Sequence, residues 1–391
     1  MNLKSKIIAG IYIHIPFCKQ ACFYCDFHFS TSLKKKDDLV KALLAELELR
    51  KDEFKGQNVE TIYLGGGTPS LLSDDELRSI LGAIYKGYNV TEAPEITLEA
   101  NPDDLTKERL MSLADTGINR LSIGIQSFFE DDLKSMNRAH NALEAQRCLD
   151  IAQHYFNNIT IDLIYGIPGM DINKWDHNLE IAFKFGVNHI SSYALTVEPK
   201  TALDTFIRKG TYPPLDESLA LQHFNHLMDR TTEQGFVHYE ISNFGKPDYF
   251  SKHNTSYWQG KPYIGIGPSA HSFNRIQRSW NIANNTKYIQ AIQKGVQPVT
   301  IEELSIQDRY NEYVMTGLRT IWGISLNTIA SDFGEVYKHH VLEAAQTYFN
   351  EGLLTLLIDV DNEKNHIEKI TTTPKGKFLV DGIASELFML N

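Results

Sequence analysis

Six times between residues 10 and 200 a short β-rich run gives way to a helix-period segment, and this alternation limits the fold more than any other feature of the chain. The runs are GIYIHIPF (10–17), ETIYLGGG (60–67), EITLEAN (95–101), RLSIGIQSF (120–128), NITIDLIYGIPG (158–169) and HISSYALTVEP (189–199). Helical periodicity follows in segments such as DDLVKALLAELELRKDEF and SDDELRSILGAIYKGY; the second opens with Ser73 and Glu76 at the spacing of a capping box. Repeated β–α units of about 30 residues require parallel strands joined by right-handed crossovers. The expected class is α/β, and no residue-level repeat underlies the period.

Almost every run ends in small or polar residues: GGGTPS, EANPDD, QSF, YGIPG, TVEP. In α/β barrels and open sheets, ligands bind at that carboxyl edge. Strand-to-helix turns favour Gly, Pro and Asn anyway, but that preference does not account for Glu99, Gln126 and Asp162 at the strand ends. Directly after the first run, HIPFCKQACFYCDFHF (14–29) sets Cys18, Cys22 and Cys25 in a C-x3-C-x2-C pattern. The fourth cysteine, Cys148, sits at helical spacing in HNALEAQRCLDIAQHY and reads as a small buried apolar residue.

The N-terminal stretch has Lys4 and Lys6 before an apolar run, but it alternates like a strand and lacks a small-x-small cleavage pattern. No apolar run approaches ~20 residues, so no membrane-spanning helix is expected. The expected location is the cytoplasm, where thiols stay reduced, and clustered cysteines there point to metal or redox chemistry. Three thiolates on a tight loop can hold three irons of an iron–sulfur cube and leave the fourth open. An open iron can chelate the amino and carboxylate groups of S-adenosylmethionine, a cofactor-borne radical chemistry. The alternative is a zinc site completed by His28, but four ligands within so short a stretch would be strained into a tetrahedron. A formal charge of −11 and a pI near 5.7 tell against coating nucleic acid or anionic lipid.

Beyond residue 205 the alternation stops. Residues 206–300 are rich in aromatics and histidine and read as a connecting segment. From about 300, helical segments at 301–320, 325–333 and 335–351 lead into two strands with a turn at DNEKN, a winged-helix-like α+β pattern over 301–391. Residues 300–391 hold 7 Lys and Arg against 14 Asp and Glu, the wrong sign for phosphate contacts. No nucleic-acid partner is expected.

YIHIPFC…CFYCDF, YLGGGTPS and IDLIYGIPG resemble the radical-SAM superfamily, and within it the HemN/HemW branch of oxygen-independent coproporphyrinogen III dehydrogenases and heme chaperones. The resemblance covers most of the chain. It implies a partial (β/α)6 TIM-like barrel over 1–205 that binds a 4Fe-4S cluster through Cys18, Cys22 and Cys25. It also implies S-adenosyl-L-methionine contacts at Tyr12, Tyr24, Gly66, Gly67, Thr68, Glu99, Gln126, Arg138, Asp162 and Ala194. The chemistry is reasonable: glycines permit close backbone approach, carboxylates suit ribose hydroxyls and an ammonium group, and an arginine can pair a carboxylate bidentately. GGGTPS is no phosphate loop, because no Gly-Lys-Ser/Thr follows.

HNTSYW (253–258) matches the branch's HNxxYW signature, tied there to heme. His253 is the axial-ligand candidate, with Tyr257 and Trp258 offering flat surface to a porphyrin; His271 in the nearby GIGPSAHSF is a weaker candidate. Two departures separate this chain from the dehydrogenase pattern. Phe27 stands where that pattern has a fourth cysteine, and 17 residues precede Cys18 where the pattern has a longer segment. The resemblance therefore implies a protein that binds heme and delivers it to heme-accepting proteins, with membrane association only through a partner. The alternative is oxidative decarboxylation of coproporphyrinogen III in porphyrin biosynthesis.

Overall fold

The computed structural model describes residues 8–360 and 366–390. Its centre is a run of parallel strands adjacent in chain order: β1 (Ile8–Ile15), β2 (Asn58–Gly66), β3 (Val90–Ala100), β4 (Arg120–Gln126), β5 (Ile159–Tyr165) and β6 (His189–Ala194). Each lies on one of the six predicted runs. The intervening helices form where the periodicity places them, and Ser73 and Glu76 make the reciprocal capping box at the start of the helix Asp74–Gly87.

Residues 206–300 do more than connect. They carry β7 (Val237–Glu240) and β8 (Asn243–Gly245), with β8 antiparallel beside β6. They also carry β9 (Tyr263–Ile266), which lies parallel beside β1, followed by the antiparallel strands β10 (His271–Phe273), β11 (Gln277–Asn281) and β12 (Val299–Glu303). The result is a 12-stranded sheet ending in β12 on one side and β7 on the other, a TIM-like partial barrel that does not close. The helix expected from residue 301 starts later: Val299–Glu303 pairs with β11, and Ser305 then caps the helix Ile306–Leu318.

The last part of the chain is winged-helix-like. Helices Ile306–Leu318, Leu326–Asp332 and Glu335–Asn350 pack with a small antiparallel sheet of β13 (Ile324–Ser325), β14 (Leu354–Val360) and β15 (His366–Thr372). Tyr310, Val314, Ile329, Val341 and Ile370 form its separate core. The expected turn at DNEKN lies outside the described residues. Among the described residues no helix is long and apolar enough to cross a membrane.

Strand alternation sorts the barrel into two chemistries. One parity, including Ile11, Ile13, Ile62, Leu64, Leu98, Ile123 and Ile161, is fully buried in the main apolar core shared with the helices. The other parity faces inward and is polar: Tyr12, Thr61, Tyr63, Glu95, Thr97, Glu99, Arg120, Ser122, Thr160, Asp162, His189 and Ser191. A barrel interior is ordinarily packed with branched apolar residues, so these groups must satisfy one another.

At the amino-terminal end, the floor, several of them do so, while Thr97 Oγ1 and Arg120 Nε stay buried without a hydrogen-bond partner. Arg120 is 1% exposed and pairs with Glu95 at 3.9 Å. It also donates to the Thr160 hydroxyl. That hydroxyl lies 3.1 Å from His189 Nδ1, and His189 Nε2 lies 2.7 Å from the Tyr239 hydroxyl. Glu95 accepts the backbone N–H groups of Lys252 and His253 at 3.0 Å, so a buried carboxylate from β3 caps the helix Lys252–Trp258.

Removing Glu95 leaves the Arg120 charge buried without its partner. Glu95→Ala is expected to cost about 3–5 kcal/mol in denaturant unfolding. Glu95→Gln, which keeps an acceptor for the helix, is expected to cost less.

Candidate cofactor site at the barrel mouth

The cysteine loop leaves β1 and is pinned at both ends. Cys18 N–H donates to Ser30 O at 3.1 Å, Ser30 N–H to Pro16 O at 2.8 Å, and Thr68 N–H to Phe17 O at 2.6 Å. Its middle is clasped by the segment after β4. Phe23 N–H reaches Met136 O at 3.1 Å, while the Asn137 side chain donates to Ala21 O at 2.7 Å and accepts from Gln20 at 2.9 Å. Asn137 adopts the left-handed backbone (φ 56°) that asparagine tolerates better than most residues.

Cys18, Cys22 and Cys25 are free and half-buried. Burial, with the neighbouring Cys22 and Cys18 thiols, pushes Cys25 up to about 11. Cys18 is raised by burial and by Cys22, against a hydrogen bond from Thr68. Three thiolates formed on this loop would repel one another and call for a positive centre among them. The half-buried guanidinium of Arg138 supplies part of it, donating from Nη1 to Cys22 Sγ at 3.3 Å.

This soft, mutually repelling donor set on one loop suits an iron–sulfur cube. It does not suit the zinc alternative, because His28 turns away to Asn285, donating from Nε2 to Oδ1 at 2.7 Å. Among the described residues no three His, Cys, Asp or Glu side chains converge on a single-ion site. Phe27, at the position of the dehydrogenase pattern's fourth cysteine, is 68% exposed.

The other expected residues surround the same mouth. Glu99 accepts from the Tyr63 hydroxyl at 2.7 Å and from Gly66 N–H at 3.0 Å; burial raises its pKa. Asp162, on β5, is pushed up to about 7 by burial and by the nearby Glu99 charge. Tyr12 donates to His14 Nδ1 at 3.1 Å, since His14 Nε2 donates to the His28 carbonyl. Arg138 Nη1 also lies 3.4 Å from the Tyr24 hydroxyl, and Nη2 donates to Asn101 Oδ1 at 2.6 Å and Gly124 O at 2.9 Å. Its Nε is buried without a partner. Both ends of this guanidinium are thus committed within the chain, leaving Nε rather than a bidentate fork toward a ligand.

Gln126 is buried at the end of β4 in left-handed backbone (φ 65°). Thr68, also buried, accepts from Asn101 at 3.2 Å, and Ala194 ends β6. Gly66 has φ 104°, and a Cβ there would stand 2.3 Å from the His14 ring. The Gly67 N–H is taken by Ile15 O at 2.9 Å. These two glycines therefore seat the end of β2 against β1.

His253 lies elsewhere. It is 1% exposed on the floor, with Nδ1 2.8 Å from the Thr61 hydroxyl and Nε2 2.7 Å from the Tyr257 hydroxyl. Its ring stacks on Tyr63 with centroids 5.0 Å apart, and burial lowers its pKa to about 3. Both ring nitrogens are thus engaged within the chain. His271 is exposed and stacks on Trp280. Cys148 is buried in the core, as expected.

Three residues central to the interior escaped sequence reasoning: Tyr63, Glu95 and Arg120. Their signal was present as polar residues at inward parity inside otherwise apolar strands.

A carboxyl whose folded pKa stands above its unfolded value holds its proton more tightly in the native state. Its stabilising contribution is therefore full at low pH and is lost as pH rises through the folded value, here about 7 for Asp162. Apo protein is expected to lose melting temperature between about pH 4 and about pH 7, the interval between the unfolded and folded values, and Asp162→Asn to flatten that loss in calorimetric scans.

The radical SAM superfamily profile matches residues 12–182. A protein of Bacillus subtilis named heme chaperone HemW is 33% identical over 83% of this chain and 86% of its own length. One of the same name from Synechocystis is 33% identical over 97% and 94%. Among solved structures, the Escherichia coli coproporphyrinogen III oxidase HemN superposes with a TM-score of 0.83, covering 98% of this chain and 91% of that one at 22% identity; at that identity it shares the fold. The chain belongs to the radical SAM superfamily, in the family of the proteins named heme chaperone HemW.

Proposed function

We propose that the chain binds heme and passes it to acceptor proteins in the cytoplasm, while holding a 4Fe-4S cluster on Cys18, Cys22 and Cys25 and S-adenosyl-L-methionine at the barrel mouth. When bound, this pair supplies one-electron chemistry at the sulfonium. The chain's own residues bind and orient. The three thiolates hold the irons, and Arg138 offsets thiolate charge at Cys22. Glu99 and Asp162 offer acceptors to hydroxyl and ammonium groups, Thr68 supports the Cys18 thiol, and Tyr12, Tyr24, Gln126 and Ala194 bound the same space. Acceptor proteins, including any at a membrane, would be reached by docking.

The reading is carried by HNTSYW, which forms a helix whose amino end is fixed by buried Glu95. Relatives at 30–37% identity named heme chaperone support it. Phe27 weighs against the decarboxylation alternative, because an apolar ring at that position has no thiol chemistry to offer.

Protein purified and reconstituted without air is expected to carry about four irons and four sulfides, and Cys22→Ser to lose most of them. With coproporphyrinogen III, S-adenosylmethionine and reductant, chromatography should detect no vinyl product. Hemin should bind saturably and move to an apo-heme acceptor. Vinyl product would replace this reading with the dehydrogenase.

A further inference from the structure

A cleft of about 700 Å³ opens between the strands following HNTSYW and the winged-helix-like unit. That size is typical of small-molecule sites. One wall carries Tyr257, Trp258 and Tyr263, and the other Tyr313 and Trp322.

The walls are fixed before any guest arrives. Arg319 lies over the Trp258 ring at 5.2 Å and is itself held by Glu240 and Asp381. Tyr257 is tethered to His253 at 2.7 Å, and the Tyr313 hydroxyl accepts Ser325 N–H at 2.8 Å. Prior ordering of this kind lowers the entropy lost on binding.

The charge of the cleft opposes that of the chain. Residues 300–391 are acidic and the whole chain carries −11, yet Arg275, Arg278 and Arg309 line this cleft. Arg278 is paired with Glu312, and Asp332 also lines the cleft. Among the described residues neither Arg275 nor Arg309 forms an ion pair, and Arg309 Nε is buried without a hydrogen-bond partner. Guanidinium groups beside flat aromatic walls fit a guest that is both planar and anionic.

We propose that this cleft seats a planar tetrapyrrole dicarboxylate, with its ring against the aromatic walls and its carboxylates directed at Arg275 and Arg309. The assignment rests on the heme-binding reading above and moves the seat from buried His253 to the outer side of the same helix. His253 becomes a positioning residue that holds Tyr257.

The test uses the full chain titrated with hemin, protoporphyrin IX and protoporphyrin IX dimethyl ester, followed by Soret absorbance and tryptophan quenching. Wild type is expected to bind both free acids and to bind the ester about tenfold more weakly, the loss of charge-assisted hydrogen bonds. Arg275→Glu/Arg309→Glu is expected to weaken both acids by about tenfold or more and to abolish the preference over the ester. The milder Arg275→Ala/Arg309→Ala pair should act in the same direction, with melting curves reporting integrity. If wild type binds hemin and both pairs bind as wild type does, the cleft assignment falls while the heme reading stands. Equal wild-type affinity for acid and ester also overturns it. If wild type binds no hemin, both readings fall together.

Discussion

At the base of the barrel a guanidinium with almost no access to water is buried among polar groups, and much of the molecule is arranged around it. Arg120 cannot lose its proton and cannot remain buried without acceptors. Glu95 and Thr160 face it, and His189 and Tyr239 extend the network to the far edge of the sheet. Through the second role of Glu95, the same charge ties down the helix that bears HNTSYW, more than 100 residues along the chain. Core barrel and motif helix therefore share one electrostatic footing.

The mouth follows the opposite logic. Three thiols, Glu99 and Asp162 surround a space with Arg138 as the basic group bridging cysteine loop and strand ends; burial first, and neighbouring acidic groups second, raise the pKa values of Cys25 and Asp162. Such a space favours cationic occupants. Irons on the thiolates and an ammonium-bearing sulfonium beside the carboxylates would relieve the repulsion that the protein alone leaves in place.

How much was legible in the sequence depended on whether a signal was local. Six parallel strands and the Ser73–Glu76 box were readable because period and capping act over a few residues. Strands β8 and β10, of three residues each, hold too few positions to show a period, and they exist because a neighbouring strand supplies partners. Residues 301–303 read as helix for the same reason, since pairing with β11 overrides propensity. Cys18, Cys22 and Cys25 were legible because their spacing is itself the chemistry. The role of His253 was not: spacing shows that it shares a helix face with Tyr257 four residues on, but not that Thr61 and Tyr63 occupy its other side. Arg120 and Glu95 became interpretable only when inward parity was known.

The position of β1 has a consequence for how the chain is made. This strand is flanked by β2 and by β9, which lies parallel to it and is synthesised some 250 residues later. As the protein emerges from the ribosome, one side of its first strand stays open until the segment Tyr263–Ile266 has appeared. An open strand edge invites pairing with other chains, so nascent chains halted before β9 expose a sticky seam. The seam closes only when β9 takes its place beside β1.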